Sequence, residues 1–360
     1  MKIKFVVVLI LLLLLTVPVY AEESPIDVSS AETELPADAV EITGKLVTDG
    51  NYDLDGAVGR LMRKAKQETI ERMKSEAKDM LRLVAIAVVC SVAESLCPDG
   101  RTAEIISLCA CAAAAAAVTG PIDSLAGRMD AALRTLSDYG RAVLPAVYTA
   151  TAVSGAVVSA GARYAAVVLC LNILMDVLIR FAIPMIYAFL AICLSKSVFP
   201  NPVLNTAAST VKWCTTTGLT VVTLGISTYI TLTGALTSGA DAVAVKGGRT
   251  IISSALPVVG GIMSDASAVV LASASVIKNA AGVFALIGIS AVCLAPFVAI
   301  GVKMLLFRLC AAVASAIEGK RLSQLLSDLS AALGMMLGVL GSVTIMLFIS
   351  FMAAIKTVSP

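Results

Sequence analysis

Histidine is absent from the chain, and only 14% of its 360 residues are charged. Without histidine, the commonest general base and the commonest metal ligand are both missing. Ser-His-Asp and Cys-His arrangements and histidine-bearing zinc sites are therefore excluded. The shortage of charge accompanies an apolar content of 58% and a mean hydropathy of +0.94. A soluble domain carries about 45–50% apolar and about 25% charged residues, so this chain is composed for lipid. None of the nine cysteines forms a CxxC, and most lie within apolar runs. Free cysteine packs as a small hydrophobe, and no disulfide framework is expected. Gly247-Gly248-Arg249 lacks the Lys-Ser/Thr ending of a phosphate loop and the strand before it. No enzyme and no cofactor are expected. The net charge of +2 gives no sign of nucleic acid as a partner.

What is present begins with a short basic start, Met1-Lys2-Ile3-Lys4, and an apolar core from Phe5 to Val17. Val19-Tyr20-Ala21 then offers small residues at a cleavage position, so residues 1–21 are expected to be a secretory signal peptide. Residues 22–53 are acidic, with Lys45 as the one base, and are expected to form a disordered extracytoplasmic segment. Residues 54–82 return Leu54, Val58, Leu61, Ala65, Met73, Ala77 and Met80 at helical spacing. Lys64–Glu68, Glu68–Arg72 and Arg72–Glu76 stand four apart on the other face. A partner-facing or membrane-surface helix is expected there.

Residues 83–360 read as a multi-span helical membrane domain. The run 83–96 is short and contains Glu94, and 103–119 is alanine-rich and ends at Gly120-Pro121. Residues 121–141 read as a charged connection. The stretches 142–162, 212–236, 280–301 and 333–355 read as full spans. Residues 164–194 hold Asp176, Arg180 and Pro184 and read as one kinked helix or two segments meeting near Arg180. Residues 237–254 read as a polar loop, and 255–277 as a broken or re-entrant helix. The expected fold is all-α, polytopic, with about 6–8 membrane segments after the signal peptide.

Four features stand out. Asp176 and Arg180 sit one turn apart within an apolar run, where ionisable groups are costly and face protein or water; they mark a function or simply neutralise each other. Thr216, Thr220, Thr223, Ser227 and Thr231 form a polar stripe that lines a path or hydrogen-bonds to a neighbour. Pro257, Gly260 and Gly261, leading to Asp265, free backbone groups that lipid cannot satisfy, so the segment lines a cavity or forms a hairpin. Gly334 and Gly338 form a GxxxG, a pattern of close helix contact.

Several segments together resemble stage III sporulation protein AE of endospore-forming bacteria. They are Leu256-Pro257-Val258-Val259-Gly260-Gly261-Ile262-Met263-Ser264-Asp265-Ala266, the polar Asp241 and Lys246, and Ile277-Lys278-Asn279-Ala280-Ala281-Gly282. Pro296, Arg308 and the stretch from Gly319-Lys320-Arg321 to Asp328 extend the likeness. The resemblance implies a subunit of a channel or secretion-like complex in the mother-cell membrane around the forespore, needed for late forespore gene expression. It implies the other stage III sporulation A proteins as partners and, across the gap, stage II sporulation protein Q. A homo-oligomer is a further expectation. The competing reading is a self-contained secondary transporter using Asp176, Arg180 and Asp265.

Overall fold

The computed structural model describes residues 54–96, 100–154, 157–199, 201–255, 260–317 and 320–355. Side chains are described for these except 54–58, 94–95, 100, 103, 234–280 and 320. Among the described residues the chain is helical and carries no strand. The elements are α1 (Leu54–Leu96), α2 (Gly100–Val153), α3 (Val157–Val177), a π-helical turn (Leu178–Ala182), α4 (Ile183–Val198), α5 (Pro202–Ala255), α6 (Gly260–Ala316) and α7 (Lys320–Ile355). The expected signal peptide and acidic segment, and Pro257, lie outside the described residues.

The centre is the antiparallel pair α6 and α7. Its register is set by Ser323 Oγ donating to the Ala311 carbonyl at 2.8 Å and Ser330 Oγ donating to the Met304 carbonyl at 3.1 Å. Farther along, Cys293 Sγ and Thr344 Oγ1 stand 3.1 Å apart. Leu329, Leu333, Leu340, Val343 and Leu347 are fully buried along α7. Gly288 of α6 admits Tyr139 of α2, whose hydroxyl donates to the Phe284 and Ala285 carbonyls, both at 3.4 Å. A Cβ at Gly288 would collide with that hydroxyl, so only glycine fits this crossing.

Four described stretches are long and apolar enough to cross a membrane: Glu104–Val153, Val157–Val198, Ala281–Ala316 and Arg321–Ile355. The last two contain the expected spans 280–301, but for its first residue, and 333–355. Elsewhere the sequence reading needs correction. Residues 121–141 are not a connection: α2 runs unbroken through Pro121 and Pro145. Each proline removes one intrahelical bond. The helix persists because Ile122, Leu125, Met129, Leu133, Leu136 and Tyr139 recur every three or four residues and are all buried.

Residues 142–162 are not one span either. Ser154 ends α2 in a turn, its Oγ donating to the Thr151 carbonyl at 2.7 Å, and α3 resumes at Val157. Hydroxyls that bond back to the local backbone compete with helix continuation. The two flanks instead form an antiparallel hairpin, tied by Arg141 Nη2 donating to Asn172 Oδ1 at 2.7 Å. Residues 237–254, expected to be a loop, continue the backbone of α5, and 260–277 form the start of α6. Residues 83–96 are the end of α1.

Two features agree with the expected kink near Arg180. The π-turn spans Leu178–Ala182, and Pro184 follows it at the start of α4. Pro184 has no N–H to offer the Arg180 carbonyl, and a wider turn absorbs the lost bond.

α1 lies along α6, with Leu61 packed against Val283 and Ile287. Lys303 of α6 is only 4% exposed and pairs with Glu76 of α1, with Asp79 3.8 Å away. A buried charge stripped of its partner costs about 3–5 kcal/mol. Glu76→Ala leaves Asp79 beside Lys303 and is therefore expected to lower the unfolding free energy of the purified full chain in detergent by less, about 1.5–3 kcal/mol, the worth of a hydrogen bond to a charged group. Glu76→Leu combined with Lys303→Met should recover most of the loss. A single-variant cost below about 1 kcal/mol would assign the pair no anchoring role.

Candidate functional site

The threonine stripe lies on α5, held there by the helix itself. Thr216 donates to the Lys212 carbonyl at 2.8 Å, Thr220 to Thr216 at 2.7 Å, and Thr223 to Leu219 at 2.7 Å. Ser227 donates to Thr223 at 2.7 Å and Thr231 to Ser227 at 2.8 Å. Each hydroxyl thereby places its proton on its own backbone and keeps oxygen lone pairs for whatever faces it. One hydroxyl also reaches across: Thr223 Oγ1 and Ser342 Oγ of α7 are 2.9 Å apart.

The facing wall is the glycine-rich part of α7. A Cβ at Gly338 would lie 3.1 Å from Leu219 Cδ2, so α5 seats against this glycine. Above and below that contact the helices diverge. They leave a cleft of ≈ 390 Å³ whose walls include Thr216, Thr220, Thr223, Phe297, Gly334, Gly338 and Ile345. A second cleft of ≈ 330 Å³ shares Thr216, Gly334 and Met335 with the first and continues to Lys212 and Arg308. The stripe and the GxxxG, read separately in the sequence, are thus two walls of one groove. By composition, α5 is not among the four apolar candidates: its threonines dilute the Leu, Val and Ile content among the described residues.

Asp176 and Arg180 lie elsewhere. Arg180 Nε and Asp176 Oδ1 are 3.3 Å apart, with the side chains 81% and 67% exposed. Asp176 stands at the end of α3 just before the π-turn, Arg180 lies within the turn, and the pair adjoins a belt of charge on the α2–α3 hairpin. Asp176 lines a cleft of ≈ 380 Å³ with Arg134, Asp138, Arg141 and Asn172. Arg134 pairs with Asp130 at 2.9 Å. Signs alternate and nearly cancel, so the belt is polar without being strongly cationic or anionic. Its neighbours on the inner side are apolar: a Cβ at Gly140 would lie 3.0 Å from Leu347 Cδ2 of α7. The belt therefore sits beside buried, apolar α7.

Gly260, Gly261, Asp265, Lys278 and Asn279 fall on the backbone of α6, and their side chains lie outside the described residues.

Other polar contacts were not singled out in the sequence. Arg163 is 6% exposed and donates from Nη1 to the Ala353 carbonyl at 2.6 Å. Lys196 pairs with Asp328 at 2.6 Å. The Tyr148 hydroxyl donates to the Ser350 carbonyl at 3.2 Å. A lone base in an apolar run, such as Arg163 or Lys303, is the signal that could have found the first kind. The distant acceptor is invisible until the helices are placed.

The Thr223–Ser342 contact is the one direct polar link described between the stripe and the glycine wall. Hydrogen bonds between membrane helices average about 0.6 kcal/mol in double-mutant cycles, with a maximum of about 1.7. A cycle of Thr223→Val and Ser342→Ala, read by unfolding in detergent, is expected to give a coupling in that range. A coupling indistinguishable from zero would mean the groove is held by packing alone.

No curated protein and no solved structure matches the chain. The profile of stage III sporulation protein AE matches residues 41–357, nearly the whole chain. The chain belongs to the stage III sporulation protein AE family.

Proposed function

We propose that the chain is a non-enzymatic, multi-pass subunit of a sporulation channel or secretion-like complex in the mother-cell membrane around the forespore. In this reading it serves late forespore gene expression. Its partners are the other stage III sporulation A proteins and, through them, stage II sporulation protein Q. The four apolar candidates and α5 supply five of about 6–8 crossing segments in this reading.

One observation carries the reading: the exposed charged belt of Asp176, Arg180, Arg134, Asp138 and Arg141 stands beside apolar α7. Ionised side chains at hydrocarbon depth are costly and face protein or water rather than lipid. A subunit of an assembly supplies such cover from its partners. The charged face of α1 adds to the case, since Lys66, Glu71, Lys74 and Lys78 are exposed while its opposite face lies on α6. Asp176 and the threonine stripe also line separate clefts, which gives the single-substrate-site alternative no support.

Affinity purification of the tagged chain from sporulating cells in mild detergent, with mass spectrometry, tests the proposal. Recovery of other stage III A proteins is expected; a chain that purifies alone and stable contradicts it. Arg180→Glu is expected to reduce spore yield sharply without lowering protein level. The exchange Asp176→Arg with Arg180→Asp separates two roles. If the pair only neutralises itself, the exchange restores sporulation; if it faces a partner, the defect persists. In the segment after α5, Asp265→Ala and Gly260→Leu are expected to block sporulation at normal protein level, and normal sporulation in both removes that segment from the functional surface.

A further inference from the structure

The groove between α5 and α7 changes character along its length. One limb is lined by Leu219, Leu224, Phe297, Leu337 and Ile345, with threonine hydroxyls among them. The other limb ends at Lys212 of α5 and Arg308 of α6, with Ser327 and Ser330 of α7 alongside. Both cations are exposed, and among the described residues neither pairs with a carboxylate. The acid beside Ser327, Asp328, is engaged by Lys196 at 2.6 Å. Among the described residues, that end of the groove therefore carries two positive charges without a carboxylate partner.

The position of those charges is specific. Ser330 bonded to the Met304 carbonyl and Ser323 bonded to the Ala311 carbonyl bracket Arg308 against the stretch 323–330 of α7. Leu333 begins the apolar run of α7, and Lys212 stands at the start of that of α5. Two helices thus turn from apolar to polar at one level, and Arg308 of α6 joins Lys212 there. From Gly334 to Ile345 the groove follows eleven helical steps, about 17 Å at 1.5 Å per residue. This is the depth of an acyl chain entering one leaflet, about half of a 30 Å hydrocarbon core.

We propose that this groove is a binding site for one anionic phospholipid. Its phosphate sits between Lys212 and Arg308, and one acyl chain runs along Leu219, Phe297 and Ile345. Basic pockets between membrane helices at the headgroup level bind anionic headgroups by this combination of charge and depth. The guanidinium of Arg308 offers paired donors to phosphate oxygens, and Lys212 adds a point charge. The groove is open on its length, so a chain can enter sideways from the bilayer. The lipid would also fill the gap beside the Gly338–Leu219 contact, making α5 docking dependent on it.

The test uses the purified full chain in a neutral detergent, with its thermal midpoint followed after adding defined lipids. Phosphatidylglycerol is expected to raise the midpoint, whereas phosphatidylcholine with the same chains is expected to leave it unchanged. Lys212→Gln with Arg308→Gln should keep the midpoint measured without lipid and lose the phosphatidylglycerol increment. Thr220→Phe, which fills the apolar limb and leaves both cations, should lose it as well. An equal increment from phosphatidylcholine would overturn the proposal, since charge would not matter. An equal increment from inorganic phosphate would also overturn it, in favour of a free-anion site. Retention of the increment in both variants would move any lipid effect to another surface.

Discussion

Hydrocarbon offers a polar group no water, so every donor, acceptor and charge in the bundle must be answered by protein or must lie against something not apolar. Most of the described polar groups meet this constraint internally. Lys303 is answered by Glu76 and Asp79, Arg163 by the Ala353 carbonyl, and Lys196 by Asp328. The threonines of α5 are answered by carbonyls one turn back on their own helix. What is left over then becomes informative. The belt around Asp176 and Arg180, and the two cations at the foot of the α5–α7 groove, are among the groups that the described fold does not cover.

The arrangement of helices follows from the same physics. Lipid tails are as apolar as leucine, so helices associate through packing and polar contacts rather than through escape from water. α6 and α7 provide the packing. Their buried leucines and valines interlock, and Gly288 and Gly338 let α2 and α5 approach closely. The outer elements are a different material. α1 and the α2–α3 hairpin carry charge and large apolar side chains side by side on their outer faces, Leu81, Val89, Val158 and Leu169 among the apolar ones. A buried central pair with outer helices of this mixed character suits lipid on some faces and protein on others.

Much of this was legible in the sequence. The final two spans announced themselves as unbroken apolar runs, and Pro184 after Arg180 signalled the joint that became a π-turn. The family likeness was carried by short motifs around Pro257, Lys278 and Arg308, and the family match covers residues 41–357. The misreadings run in two directions. Gly120-Pro121 and the charges of 121–141 read as a connection because the inward periodicity from Ile122 to Tyr139 was not part of that reading. Yet burial of that face is what keeps α2 whole. Ser154 erred the other way: a single hydroxyl ended a helix that hydropathy alone would have carried across. The groove was legible only as halves. The stripe and the glycines are more than a hundred residues apart, and only the fold sets one against the other. Similarly, Lys303 and Glu76 are remote in sequence, and no local pattern pairs them.

The central claim is that the charged belt of the α2–α3 hairpin is covered by another protein in the sporulating cell. Asn172 sits in that belt, exposed and bonded to Arg141, and a photoreactive residue placed there probes what covers it. Irradiation of sporulating cells followed by immunoblotting and mass spectrometry is the most direct measurement. The account expects discrete protein adducts, made by another stage III A protein or a second copy of this chain. Adducts to lipid alone, in cells that sporulate normally, would contradict it.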